Sequence, residues 1–117
     1  MSIKIYPLND WVHPVKLFEV EAGAITRTPL ETGTVTGFLA TSGSPTATAA
    51  DASLVATAAH VANGWWRVSI DGTLLTASLM DTHFASTNPW LILQQTGNIR
   101  TVYELEYLPY REGTVEE

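Results

Sequence analysis

Two tight turns isolate the stretch that constrains this chain most. Asn63-Gly64 and Asp71-Gly72 bracket Trp65-Trp66-Arg67-Val68-Ser69-Ile70. Gly, Asn and Asp tolerate the backbone conformations that turns demand. The aromatic and β-branched side chains of the enclosed segment favour a strand. Neighbouring strand residues point to opposite faces. Trp66, Val68 and Ile70 therefore form an apolar face that belongs in a core. Trp65, Arg67 and Ser69 face the other way. An outward Trp beside an Arg suits sugar stacking or contact with another protein.

The same reading extends along the chain. Ser2–Tyr6 alternates. Trp11–Val20 is strand-like, with Pro14 marking an edge or a bend. Ala24–Thr28 reads as a short strand. Thr34–Thr41 is rich in β-branched residues, and Gly37 within it points to a close backbone approach or a bulge. Ser42–Ser53 is a loop by composition. Leu54–Gly64 admits a helix on its alanines, but Val, Thr and the flanking turn residues favour a strand. Gly72–Pro89 holds the one expected helix, near residues 74–85, with Leu75, Leu79 and either Met80 or His83 at helical spacing. Trp90–Gln95 is a buried-strand run, Thr96–Asn98 a hairpin turn. In Asn98–Leu108, Ile99, Thr101, Tyr103, Leu105 and Tyr107 share one face; Arg100, Val102, Glu104 and Glu106 share the other. About seven short strands at regular spacing predict an all-β, antiparallel β-sandwich, immunoglobulin-like or jelly-roll, as one domain over 1–117. Residues 1–20 read as a possible N-terminal arm, free to swap between copies about Pro7 and Pro14, and 111–117 as an acidic tail.

Charge and composition narrow the function. The net charge is −6. Residues 61–117 hold three arginines against seven acidic side chains. With no basic patch, direct nucleic-acid binding is not expected. There is no cysteine, which removes disulfides, thiol catalysis and cysteine-based zinc sites. The opening residues lack the apolar run of a signal peptide, and no run approaches a membrane span, so a soluble product of a cytoplasm is expected.

No catalytic constellation stands out, and no enzyme activity, metal or cofactor is expected. His13, His60 and His83 lack metal-ligand spacing. Asp81 and His83 lie two apart, which on a helix turns them away from each other. There is no G-x-S-x-G elbow, P-loop or G-x-G-x-x-G. Glu104 and Glu106 share a strand face, a spacing open to paired carboxylates, but a solvated face near Arg100 accounts for them better.

The run from "VTGFLATS" through "LVATAAHVANGWWRVSIDGTLLTASLMDTHF" to "PWLILQQTGNIRTVYELEY" resembles small tailed-bacteriophage virion structural proteins with immunoglobulin-like or jelly-roll sandwiches, over roughly residues 34–107. There, a strand of this kind is followed by a short helix and a final hairpin. The chain lacks the cysteine pair of antibody-type domains. The resemblance implies a protein of the virion, made in the host cytoplasm, whose partners are the major capsid protein or other virion proteins, with homo-oligomers on the particle. Capsid decoration is the first expectation; a head–tail connector, tail or baseplate part is the second. A carbohydrate-binding module using Trp65 and Trp11 is the reading from another class. The residues expected to meet a partner are Trp11, Trp65, Arg67 and Tyr110.

Overall fold

A computed structural model describes residues 3–21, 24–95 and 99–108. Among these residues, nine strands and one α-helix make an all-β, sandwich- or barrel-like fold. The strands are β1 (Ile3–Ile5), β2 (Trp11–Lys16), β3 (Phe18–Glu21), β4 (Ala24–Pro29), β5 (Val35–Ala40), β6 (Val55–Ala62), β7 (Trp65–Ile70), β8 (Trp90–Gln95) and β9 (Ile99–Tyr107). The helix is α1 (Ala77–Phe84). Seven strands form one sheet in the order β1-β9-β8-β5-β6-β7-β2, and β3 and β4 pair as a separate ribbon.

The sheet curls until its two edges nearly meet. Its edge strands, β1 and β2, are consecutive in the chain and joined only by Tyr6–Asp10. The Trp11 indole N–H donates across that seam to the Lys4 carbonyl at 3.2 Å. Residues 3–16, read from sequence as an arm, thus pair within their own chain at both edges. The expected antiparallel pairing holds everywhere except β1–β9, which is parallel with Ile3 opposite Leu105. The short Tyr6–Asp10 link turns the chain back, so β1 runs opposite to β2; five antiparallel steps from β2 to β9 then leave β1 running the same way as β9.

The alternation read from the sequence orients the strands. Trp66, Val68 and Ile70 face inward with Val15, Leu39, Leu91 and Leu105, all buried. Gly37 is where close approach was expected: an added Cβ would lie 2.9 Å from Leu93 Cδ2 and 3.0 Å from Ala56 Cβ. The helix is shorter than the expected 74–85. Asp71 caps a separate 3-10 turn over Gly72–Leu74, and Thr76 caps α1 by accepting from the Leu79 N–H at 3.2 Å. Met80 and Phe84, one helical turn apart, carry its buried face into the core.

The outer side of the sheet is divided. On β5, β8 and β9, outward Phe38, Trp90 and Ile92 are covered by the loop of residues 41–54. Its Ala50 N–H bonds the Leu39 carbonyl at 2.9 Å. Arg100 Nη1 donates to the Ala47 carbonyl at 2.7 Å, and its guanidinium lies 5.6 Å from the Phe38 ring centre. Gly43 sits so close to the Trp90 indole that a Cβ there would fall 2.8 Å from a ring carbon. Ile92 is consequently 0% exposed, though it points away from the inner core. Among the described residues, no such cover lies over β2, β7 and β6.

Candidate functional site

The uncovered outer face of β2, β7 and β6 is the candidate site. Strand register arranges it in rows. Val12, Ser69 and Thr57 stand side by side in the first; Pro14, Arg67 and Ala59 in the second; Lys16, Trp65 and Ala62 in the third. A β-bulge between His60 and Ala62 adds Val61 beside the third row. Val12 is 56% exposed, Val61 62%, Trp65 44%, and Val55 at the other end of β6 47%. These are most of the large apolar side chains that the described residues expose, gathered on one face.

Local sequence sets this geometry. Asn63 and Gly64 both take positive φ, 53° and 80°, the signature of a two-residue hairpin turn matched to strand twist. That turn is too short to fold back over Trp65. Pro14 sits on edge strand β2, where its missing N–H leaves no gap inside the sheet. Lys16, directly opposite Trp65, holds its ammonium 5.8 Å from the indole centre and 6.0 Å from the Phe18 ring.

The face has electrical polarity. Its cations, Lys16 and Arg67, stand by Trp65 near the β6–β7 turn. No outward position of β2, β7 or β6 is acidic. Asp10 and Asp71 line a shallow depression of about 290 Å³ at the far end, with Val12, Thr57 and Ser69. Both are engaged: Asp10 accepts from the Gly72 N–H at 2.7 Å, and Asp71 accepts from the N–H and hydroxyl of Thr73 at 2.9 and 2.8 Å. The backbone and side-chain hydrogen bonds from Thr73 hold the Asp71 carboxyl below its ordinary range.

The four residues expected to bind a partner fare differently. Trp65 and Arg67 lie outward and side by side on this face, as the alternation predicted. Trp11 is only 6% exposed: it packs in the core, stacks on His13 at 5.8 Å and presents no platform. Its N–H reaches the Lys4 carbonyl while its ring faces inward opposite Ile70. Tyr110 lies outside the described residues. Lys16 was missed, because its place opposite Trp65 depends on β2–β7 pairing across the chain. The one local clue was Pro14, which marks an edge strand whose alternate residues, Val12 and Lys16, look outward.

Other candidates are absorbed by the fold. Among the described residues, no three His, Asp or Glu side chains gather as a metal site. His60 Nε2 lies 3.2 Å from Glu31 Oε2, and its ring meets Trp66 edge-on at 5.2 Å. Glu104 accepts from Asn88 Nδ2 at 3.1 Å, and Glu106 sits opposite Lys4 in the sheet register. Asp81 accepts from the Tyr107 hydroxyl at 2.7 Å; burial, and then that hydrogen bond, raise the phenol far above its usual range. No helix among the described residues is long and apolar enough to cross a membrane. Comparison with protein-family models and with curated proteins finds no match for this chain.

Proposed function

We propose that the chain is a non-enzymatic structural protein of a tailed-bacteriophage virion, a capsid decoration protein that docks on the shell through the open face of β2, β7 and β6. One observation carries the docking role: a half-exposed Trp65 among exposed valines, on one rigid sheet face, in a chain that covers its other outer apolar cluster with its own loop. The setting in a virion comes from the sequence resemblance over residues 34–107. Burying such a face against a partner supplies association energy, and Trp and Arg are among the residues that carry most interface energy.

Carbohydrate binding is the weaker reading of the same face. Sugar hydroxyls are met best by side chains that accept as well as donate, whereas Lys and Arg only donate. Here the neighbours of Trp65 are Lys16, Arg67, Ala62 and Val61.

Quantitative mass spectrometry of purified particles from the source tests the proposal. A simple stoichiometric ratio to the major shell protein supports decoration. A few copies per particle moves the protein to the neck, tail or baseplate. Absence from particles, or glycan-array binding that disappears in Trp65→Ala, overturns the virion reading.

A further inference from the structure

The docking face has a chemistry that narrows its partner. We infer that Trp65, Lys16 and Arg67 receive an acidic, extended protein segment that sets carboxylates on either side of an apolar residue. The inference rests on the docking role of this face and deepens it.

Charge complementarity argues for this occupant. The chain as a whole is acidic, at −6, with only six Lys and Arg residues. Two of those six flank the exposed indole. Lys16 stands directly across from Trp65, and Arg67 lies two residues along the same strand. Among the described residues neither forms an ion pair. The outward positions of β2, β7 and β6 include no acidic side chain, so the positive end of the face is unopposed within it. In a chain of net negative charge, this positive and apolar spot attracts an acidic partner, which gives orientation as well as affinity.

The spacing suits an extended segment. Lys16 and Arg67 are diagonal neighbours across an antiparallel pair, about 7 Å apart at the backbone. Side chains at alternate positions of an extended chain repeat at about the same distance, on one side of that chain. An acidic–apolar–acidic run would bring carboxylates to both cations. Nucleic acid fits less well, since two cations in an acidic chain neutralise few phosphates.

Two synthetic peptides test this on the intact chain, one alternating Glu and Leu, the other Lys and Leu. Binding is followed by the Trp65 indole N–H resonance in nitrogen-15 spectra. The Glu peptide is expected to shift that resonance saturably, with affinity falling as salt rises. Arg67→Glu and Lys16→Glu should each weaken it about tenfold, while Arg67→Lys keeps most of it. The mutated side chains are outward, and circular dichroism of each variant checks that the fold survives. Equal binding of both peptides, no binding of the Glu peptide, shifts that map away from Trp65, or tighter binding of oligothymidine would each overturn the inference. Particle copy number is read separately. A stoichiometric virion protein whose face ignores the Glu peptide loses the acidic partner but keeps decoration. A Glu-binding face on a protein absent from particles does the reverse.

Discussion

The two halves of the outer sheet surface start from similar material and end differently. One half carries Phe38, Trp90 and Ile92; the other carries Val12, Trp65 and Val61. The first is covered by residues 41–54, which leave Phe38 and Trp90 half-buried and Ile92 wholly inaccessible. The second is open. The difference lies in connection length. Fourteen residues link β5 to β6, enough to fold back over the sheet, whereas Asn63 and Gly64 alone link β6 to β7. An apolar outer face with no chain to cover it must either meet water or meet a partner. Outward apolar residues therefore report function only where the fold has nothing left to put over them.

The largest expected effect separates the halves directly. Ile92→Ala should cost about 2–5 kcal/mol of stability, the range for a buried aliphatic truncation. Val61→Ala should stay within about 0.5 kcal/mol, as exposed substitutions do. Urea denaturation of both variants checks this. Similar losses in the two would mean that the open face is covered in solution. Next comes Gly43→Ala, which must drive a methyl group into the Trp90 ring and should cost about 1–3 kcal/mol through overpacking. Stability unaffected by that change would remove the loop from its place on Trp90. Arg100→Met should follow at about 1 kcal/mol, from the lost hydrogen bonds to Ala47 and Gln94. Hydrogen exchange should then quicken at the Ala50 amide, bonded to Leu39, and stay unchanged in β7.

The two halves were also unequally legible in the sequence. The open face follows from alternation alone. Trp66, Val68 and Ile70 form a uniform apolar set, and that sends Trp65 and Arg67 outward. The covered face hides its phase. In Trp90–Gln95 both sides are apolar because both are buried, so Ile92 carries no mark of pointing away from the core. The covering loop is written in small residues, Gly43, Ala47 and Ala50, which have no period and read only as loop. Trp11 misled for a related reason: in β2 the inward Trp11 and Val15 interleave with outward Val12 and Pro14, and both sets are apolar. Long-range pairing was beyond reach as well. Nothing local places Lys16 across from Trp65, or β1 parallel to β9.

The smallest expected effect compares two similar turns, one in each half. Asp51 closes the covering loop, accepting from the hydroxyl and N–H of Ser53 at 2.7 and 2.9 Å. Asp71 accepts from Thr73 in the same way at the acidic end of the open face. In both, hydrogen bonds to the ionised form hold the carboxyl below 3.8. The folded pKa is the lower one, so the stabilisation is complete above 3.8 and is lost as pH falls through the folded value. The stability gap between the parent and Asp51→Asn should therefore be small at neutral pH and close in acid, and likewise for Asp71→Asn. Denaturation midpoints across that range check the sign; a gap that is the same in acid as at neutrality would assign the effect to shape, not charge. Location separates the pair. Asp51→Asn should speed exchange at Ala50 over the covered face. Asp71→Asn should loosen the Leu75 amide, bonded to the Gly72 carbonyl, and leave the cover closed. If either variant disturbed both places, the halves would be coupled through the core, and the open face could no longer be treated as a surface whose binding is tuned without touching the rest of the fold.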